Sequence, residues 1–72
     1  MTTVFYKRVS ALCKENSITP KRVCKDLYWE TSCADDWRKG VVPRGAKLLR
    51  IATYFGVSPD YLLGKSDEMF DY

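Results

Sequence analysis

The sequence predicts a compact all-α domain of five short helices. Three observations carry that expectation. Apolar residues recur at three- and four-residue spacing and nowhere alternate as in a half-buried strand. The pairs Thr19-Pro20 and Ser58-Pro59, with glycines at 40, 56 and 64, mark helix starts and stops. A chain of 72 residues has room for one hydrophobic core and none for a second.

The first helix is expected over residues 3–15, with Phe5, Val9, Leu12 and Cys13 inward and Lys7, Arg8, Lys14 and Glu15 outward. Thr2 or Thr3 supplies its N-cap, and Asn16-Ser17 stops it. In the second, Thr19 caps and Pro20 takes the first position, where a missing N–H costs nothing. It runs to about Leu27, burying Val23, Cys24 and Leu27 and leaving Lys21, Arg22 and Lys25 outside. The third covers about Glu30 to Lys39 on the spacing of Cys33, Ala34 and Trp37, with Gly40 as its C-terminal cap. Val41-Val42-Pro43 is an extended link, because the residue before proline is pushed out of the helical region. The fourth runs from about Arg44 to Phe55, with Leu48, Leu49, Ile51, Ala52 and Phe55 apolar, and Gly56 ends it. Ser58-Pro59-Asp60 starts a fifth, carrying Tyr61, Leu62 and Leu63, which Gly64 closes. The predicted core is Phe5, Val9, Leu12, Val23, Leu27, Ala34, Trp37, Leu48, Ile51, Ala52, Phe55 and Leu62. The tail 65–72 is acidic, with Met69, Phe70 and Tyr72 placed to fold back on the fifth helix or to meet a second subunit.

Composition narrows the chemistry. The chain is 46% hydrophobic and 29% charged, the balance of a globular domain rather than a disordered one. No apolar run approaches the roughly 20 residues of a membrane span, and the N-terminal residues do not read as a signal peptide, so a cytoplasmic protein with no membrane partner is expected. Histidine is absent, which removes Ser-His-Asp and Cys-His catalysis and every His-containing metal site. Cys13, Cys24 and Cys33 stand eleven and nine positions apart, without the close pairing of zinc ligands, and are expected to be free, buried thiols. Asp35 and Asp36 are neighbours, so on a helix they point about 100° apart and form no convergent carboxylate pair. The sequence therefore predicts no enzyme, no metal and no cofactor.

The second and third helices, separated by a short turn, look like a helix-turn-helix at about 19–39. The residues around it are Ile18-Thr19, Val23-Cys24, Leu27, Trp37-Arg38-Lys39-Gly40, Pro43 and Leu48-Leu49-Arg50-Ile51-Ala52. They are followed by Tyr54-Phe55-Gly56-Val57-Ser58-Pro59-Asp60-Tyr61-Leu62-Leu63-Gly64. On these residues the chain resembles the lambda-repressor-like, Cro/Xre family of DNA-binding domains over residues 5–64. The resemblance implies a domain at 1–64 and a short tail at 65–72. It also implies a sequence-specific, double-stranded-DNA-binding transcriptional regulator of bacterial or phage type, expected to be a repressor. Members usually bind pseudo-palindromic sites as dimers, so a homodimer is implied; no sensor domain, and hence no small-molecule effector, is. Three positions depart from the family pattern. Pro20 replaces a backbone-touching glutamine, Cys24 replaces a mid-helix alanine, and Tyr28 stands where the turn usually carries glycine. If that position needs φ > 0, tyrosine is strained there.

The net charge of +3 is unevenly spread. Residues 1–29 carry six basic and two acidic groups, 30–37 none and three, 38–50 five and none, and 51–72 one and four. By family position Glu30, Thr31, Ser32 and Asp36 would face bases, a carboxylate accepting from cytosine N4. Phosphates would fall to Thr19, Lys21, Arg22, Lys25, Arg38, Lys39, Arg44 and Lys47, aided by free N–H groups at the start of the second helix. The alternative for Asp35 and Asp36 is to pair with Arg38 or Lys39, three or four positions on. The alternative for the acidic third helix is a degenerate helix-turn-helix that binds a basic protein or antagonises a related regulator.

Overall fold

A computed structural model describes residues 3–68. They form α1 (Val4–Glu15), α2 (Pro20–Asp26), α3 (Ser32–Lys39), α4 (Ala46–Phe55) and α5 (Pro59–Leu63), with no strand among them. Helix α1 packs against α2, α3 and α5, while α4 closes on α5. Thr2, Met69, Phe70 and Tyr72, to which the sequence assigns a cap and tail contacts, lie outside the described residues.

Three of the five starts, α1, α2 and α5, are capped by a side chain. Thr3 Oγ accepts from the Tyr6 N–H at 3.0 Å, Thr19 Oγ from Arg22 at 3.3 Å and Ser58 Oγ from Tyr61 at 3.1 Å. Two starts come later than the sequence predicts. Helix α3 begins at Ser32, because the Cys33 N–H bonds Glu30 and the Ala34 N–H bonds Thr31, each at 3.1 Å, over three residues rather than four. Glu30 and Thr31 thus belong to a tight entry turn. Helix α4 begins at Ala46, because Gly45 has φ +63° and cannot continue a right-handed helix back to Arg44.

All five helices end in a Schellman motif. In α2, for example, the Trp29 N–H reaches the Cys24 carbonyl at 2.9 Å and the Tyr28 N–H reaches Lys25 at 3.1 Å. The motif needs one left-handed residue, supplied in chain order by Ser17, Tyr28, Gly40, Gly56 and Gly64. Tyr28 therefore does sit at positive φ, +62°, with its side chain 94% exposed.

The core is Phe5, Val9, Leu12, Cys13, Val23, Cys24, Ala34, Trp37, Leu48, Ile51, Ala52 and Leu62. Phe5 meets Trp37 edge-on, with centroids 5.6 Å apart, which joins α1 to α3 and contributes about 0.5–1.5 kcal/mol beyond area burial. Leu27 and Phe55, predicted core residues, are only half-buried. Each sits at the C-terminal end of its helix, Leu27 as the cap residue of α2 and Phe55 edge-on against Tyr54 at 5.1 Å. Among the described residues no helix is long and apolar enough to cross a membrane.

Candidate nucleic-acid interface

The α2–turn–α3 segment presents most of the sequence-predicted site residues. Glu30 and Thr31 stand exposed in the entry turn, and Ser32 and Asp36 stand exposed on α3. Asp35 is half-buried and approaches Arg38 at 3.8 Å, too long for a hydrogen bond but close enough to offset charge.

Cations collect on both flanks of α3. On one side, Thr19, Lys21, Asp35 and Arg38 line a shallow groove of about 260 Å³ whose walls are Tyr6, Pro20 and Ala34. On the other, Asp36 and Lys47 share a smaller groove of about 110 Å³ with Trp29, Cys33 and Val41. Lys25 and Lys39 are exposed on α2 and at the end of α3.

Two predicted phosphate residues are placed differently. Arg22 donates to Asp26 at 2.9 Å, and Asp26 accepts in turn from the Tyr54 hydroxyl at 2.6 Å, tying α2 to α4. The Tyr54 hydrogen bond, then that of Arg22, holds the Asp26 carboxyl below the ordinary carboxylate value, and the same bond raises the Tyr54 hydroxyl. Arg44 lines a separate groove with the start of α1 and the end of α5. The start of α2 is also not the open cluster of N–H donors the sequence implies. Pro20 has none, and Arg22 and Val23 both donate to the Thr19 carbonyl, at 3.0 and 3.3 Å.

Arg50 is a residue that sequence reasoning did not single out. Its guanidinium lies 5.4 Å from the Trp29 ring centre and donates to the Leu27 carbonyl at 3.4 Å. It thereby braces the turn that feeds α3. In the sequence it appears only within the segment Leu48-Leu49-Arg50-Ile51-Ala52 and the basic run 38–50, with no role of its own.

The cysteines are unlinked, with Cys13 and Cys24 buried and Cys33 half-buried. Burial, followed by the charge of a neighbouring thiol, pushes both Cys13 and Cys24 up to about 11. Both are therefore protonated and inert at neutral pH. Among the described residues no group of three or more Cys, Asp or Glu is placed to hold a metal. Chemically, the α3 face offers hydroxyls that donate or accept, carboxylates that only accept, and flanking cations. No known family, curated protein or solved structure matches the chain.

Proposed function

We propose that this protein is a sequence-specific DNA-binding regulator in which α2 and α3 form a helix-turn-helix. The observation that carries the reading is the placement of cations on both sides of an exposed α3: Lys21 and Arg38 along one groove, Lys47 along the other. Phosphate contacts supply most non-specific affinity and fix register, so their place is beside the reading element. Lys25 and Lys39 add to the set. Thr19 keeps its hydroxyl proton for a phosphate oxygen while its oxygen caps α2. Arg22 and Arg44 complete the set, Arg22 sharing its guanidinium with Asp26 through Nε alone.

In this reading Glu30, Thr31, Ser32 and Asp36 face bases. Ionised carboxylates accept only, so Glu30 and Asp36 favour donor edges, of which cytosine N4 is the major-groove example. Selection of bound sequences from a random duplex pool, run at two salt concentrations, tests the proposal. The expected outcome is an enriched motif containing C·G pairs and an affinity that falls steeply with salt. A pool left unenriched at both salts contradicts it.

A second reading has one specific observation behind it. Tyr28 is 94% exposed in a left-handed conformation and sits two residues from the exposed Glu30. A strained, solvent-facing aromatic beside acids fits a protein-docking surface, and exposed tyrosines are frequent binding anchors. Under that reading Tyr28→Ala weakens capture of a basic partner protein and leaves duplex affinity unchanged.

A further inference from the structure

A groove of about 710 Å³, separate from the α3 face, lies between the start of α1, the loop before α4 and the end of α5. This is within the size range of small-molecule sites. Its floor is Phe5 and Leu48, both buried, and Val4 remains 47% exposed along its wall. That wall is closely fitted: a Cβ on Gly64 would stand 2.8 Å from Val4 Cγ1. A cation stands on each side, Arg44 before α4 and Lys65 after α5. Both are exposed and neither has an ion-pair partner among the described residues. Among the described residues no acidic side chain lines the groove. Its one uncharged polar side chain, Thr3, uses its hydroxyl oxygen to cap α1.

These features define a chemistry. Val4, Phe5, Val42, Leu48 and Leu63 make most of the lining apolar, which rewards hydrocarbon. Among the described residues the lining offers only Thr3 and the two cations as side-chain polar groups and no carboxylate or amide, which leaves a sugar or a nucleobase few partners. Two unpaired cations at the rim favour one anionic head. We propose that the groove binds a small amphipathic anion, a medium-chain acyl carboxylate. Its chain lies over Phe5, Leu48 and Val4, and its head lies in the field of Arg44 and Lys65. The assignment does not rest on DNA reading: none of these groups belongs to the α3 face, and of them only Arg44 is also among the phosphate residues proposed above.

The test is titration of the isotope-labelled full chain with octanoate, octanol and hexanoate, followed by amide chemical shifts. Saturable shifts at Val4, Leu48 and Leu63 are expected, with octanoate bound at least about fivefold more tightly than octanol. Hexanoate, two methylenes shorter, should bind about tenfold more weakly than octanoate. The double variant R44Q/K65Q changes only exposed side chains. It should keep its dispersed spectrum and its octanol binding and lose the preference for octanoate. Equal binding of octanoate and octanol by the natural sequence overturns the proposal, as do shifts that map elsewhere. Concentration-dependent self-association that broadens the same amides and resists octanoate also overturns it, because a second copy is then the occupant.

Discussion

Tyr28 occupies the one left-handed position after α2, where an L side chain with a Cβ costs about 1–2 kcal/mol. With the ring 94% exposed, almost no packing offsets that cost. Tyr28→Gly should therefore stabilise the domain by about 0.5–1 kcal/mol after the larger unfolded-state entropy of glycine is subtracted. An upward shift of the denaturation midpoint at unchanged m-value checks this. The Asp26–Tyr54 pair makes a second residue-scale prediction. A carboxyl held below its unfolded value stabilises the fold fully above that value, near pH 4, and the contribution disappears as pH falls through the folded value. The raised Tyr54 hydroxyl works in the opposite sense: its contribution is full below about pH 10 and is lost as pH rises through the folded value. Tyr54→Phe should flatten the stability profile in both windows. Thermal melts across pH that superimpose on the natural profile at acid pH would contradict the pairing.

At the scale of elements, helix starts written by a side chain were legible from the sequence. Thr19-Pro20 and Ser58-Pro59 place α2 and α5 to the residue, since cap and proline act locally. The start of α3 was not legible, because a three-residue turn through Glu30 and Thr31 shares the same helical spacing of Cys33, Ala34 and Trp37. Gly45 was a visible signal for the late start of α4, but it is the backbone sign at that position, not the residue type alone, that stops the helix. In the candidate site, exposure of the α3 face follows from periodicity and the Arg22–Asp26 pair from i,i+4 spacing, whereas the Tyr54 hydrogen bond to Asp26 spans 28 residues and no local pattern encodes it. The proposed interface makes its own prediction. Glu30→Ala should relax preference at one base pair by about 1–3 kcal/mol. Asp35→Asn should instead tighten binding to every duplex, by removing charge that repels phosphates. Lys21→Ala should weaken all duplexes alike and lower the salt slope by about 1. Affinities of the three variants on a matched and a substituted site, at two salts, check the set.

Across the whole molecule, the described ends of the chain are joined by Arg8. Its guanidinium donates to the carbonyls of Tyr61 and Ser66, each at 2.6 Å, reaches Asp67 at 3.0 Å and stacks 4.2 Å from the centre of the Tyr61 ring. The segment after Gly64, read from sequence as a short tail beyond the domain, is thereby clasped to α1 at least as far as Asp67. Arg8→Ala should cost about 1–3 kcal/mol, since two part-buried carbonyls lose a charged donor. Asp67→Asn should cost under about 1 kcal/mol, because that carboxylate is fully exposed. Chemical denaturation of the two variants separates these values. The central claim is that the whole domain presents α3 and its entry turn as a DNA-reading surface despite Glu30, Asp35 and Asp36. Its most direct test is the affinity of the folded natural sequence, at low salt, for the best selected duplex and for random duplex of equal length. The account predicts tighter binding to the selected site by at least about a thousandfold, with both affinities falling as salt rises. Equal affinities for the two duplexes would contradict it.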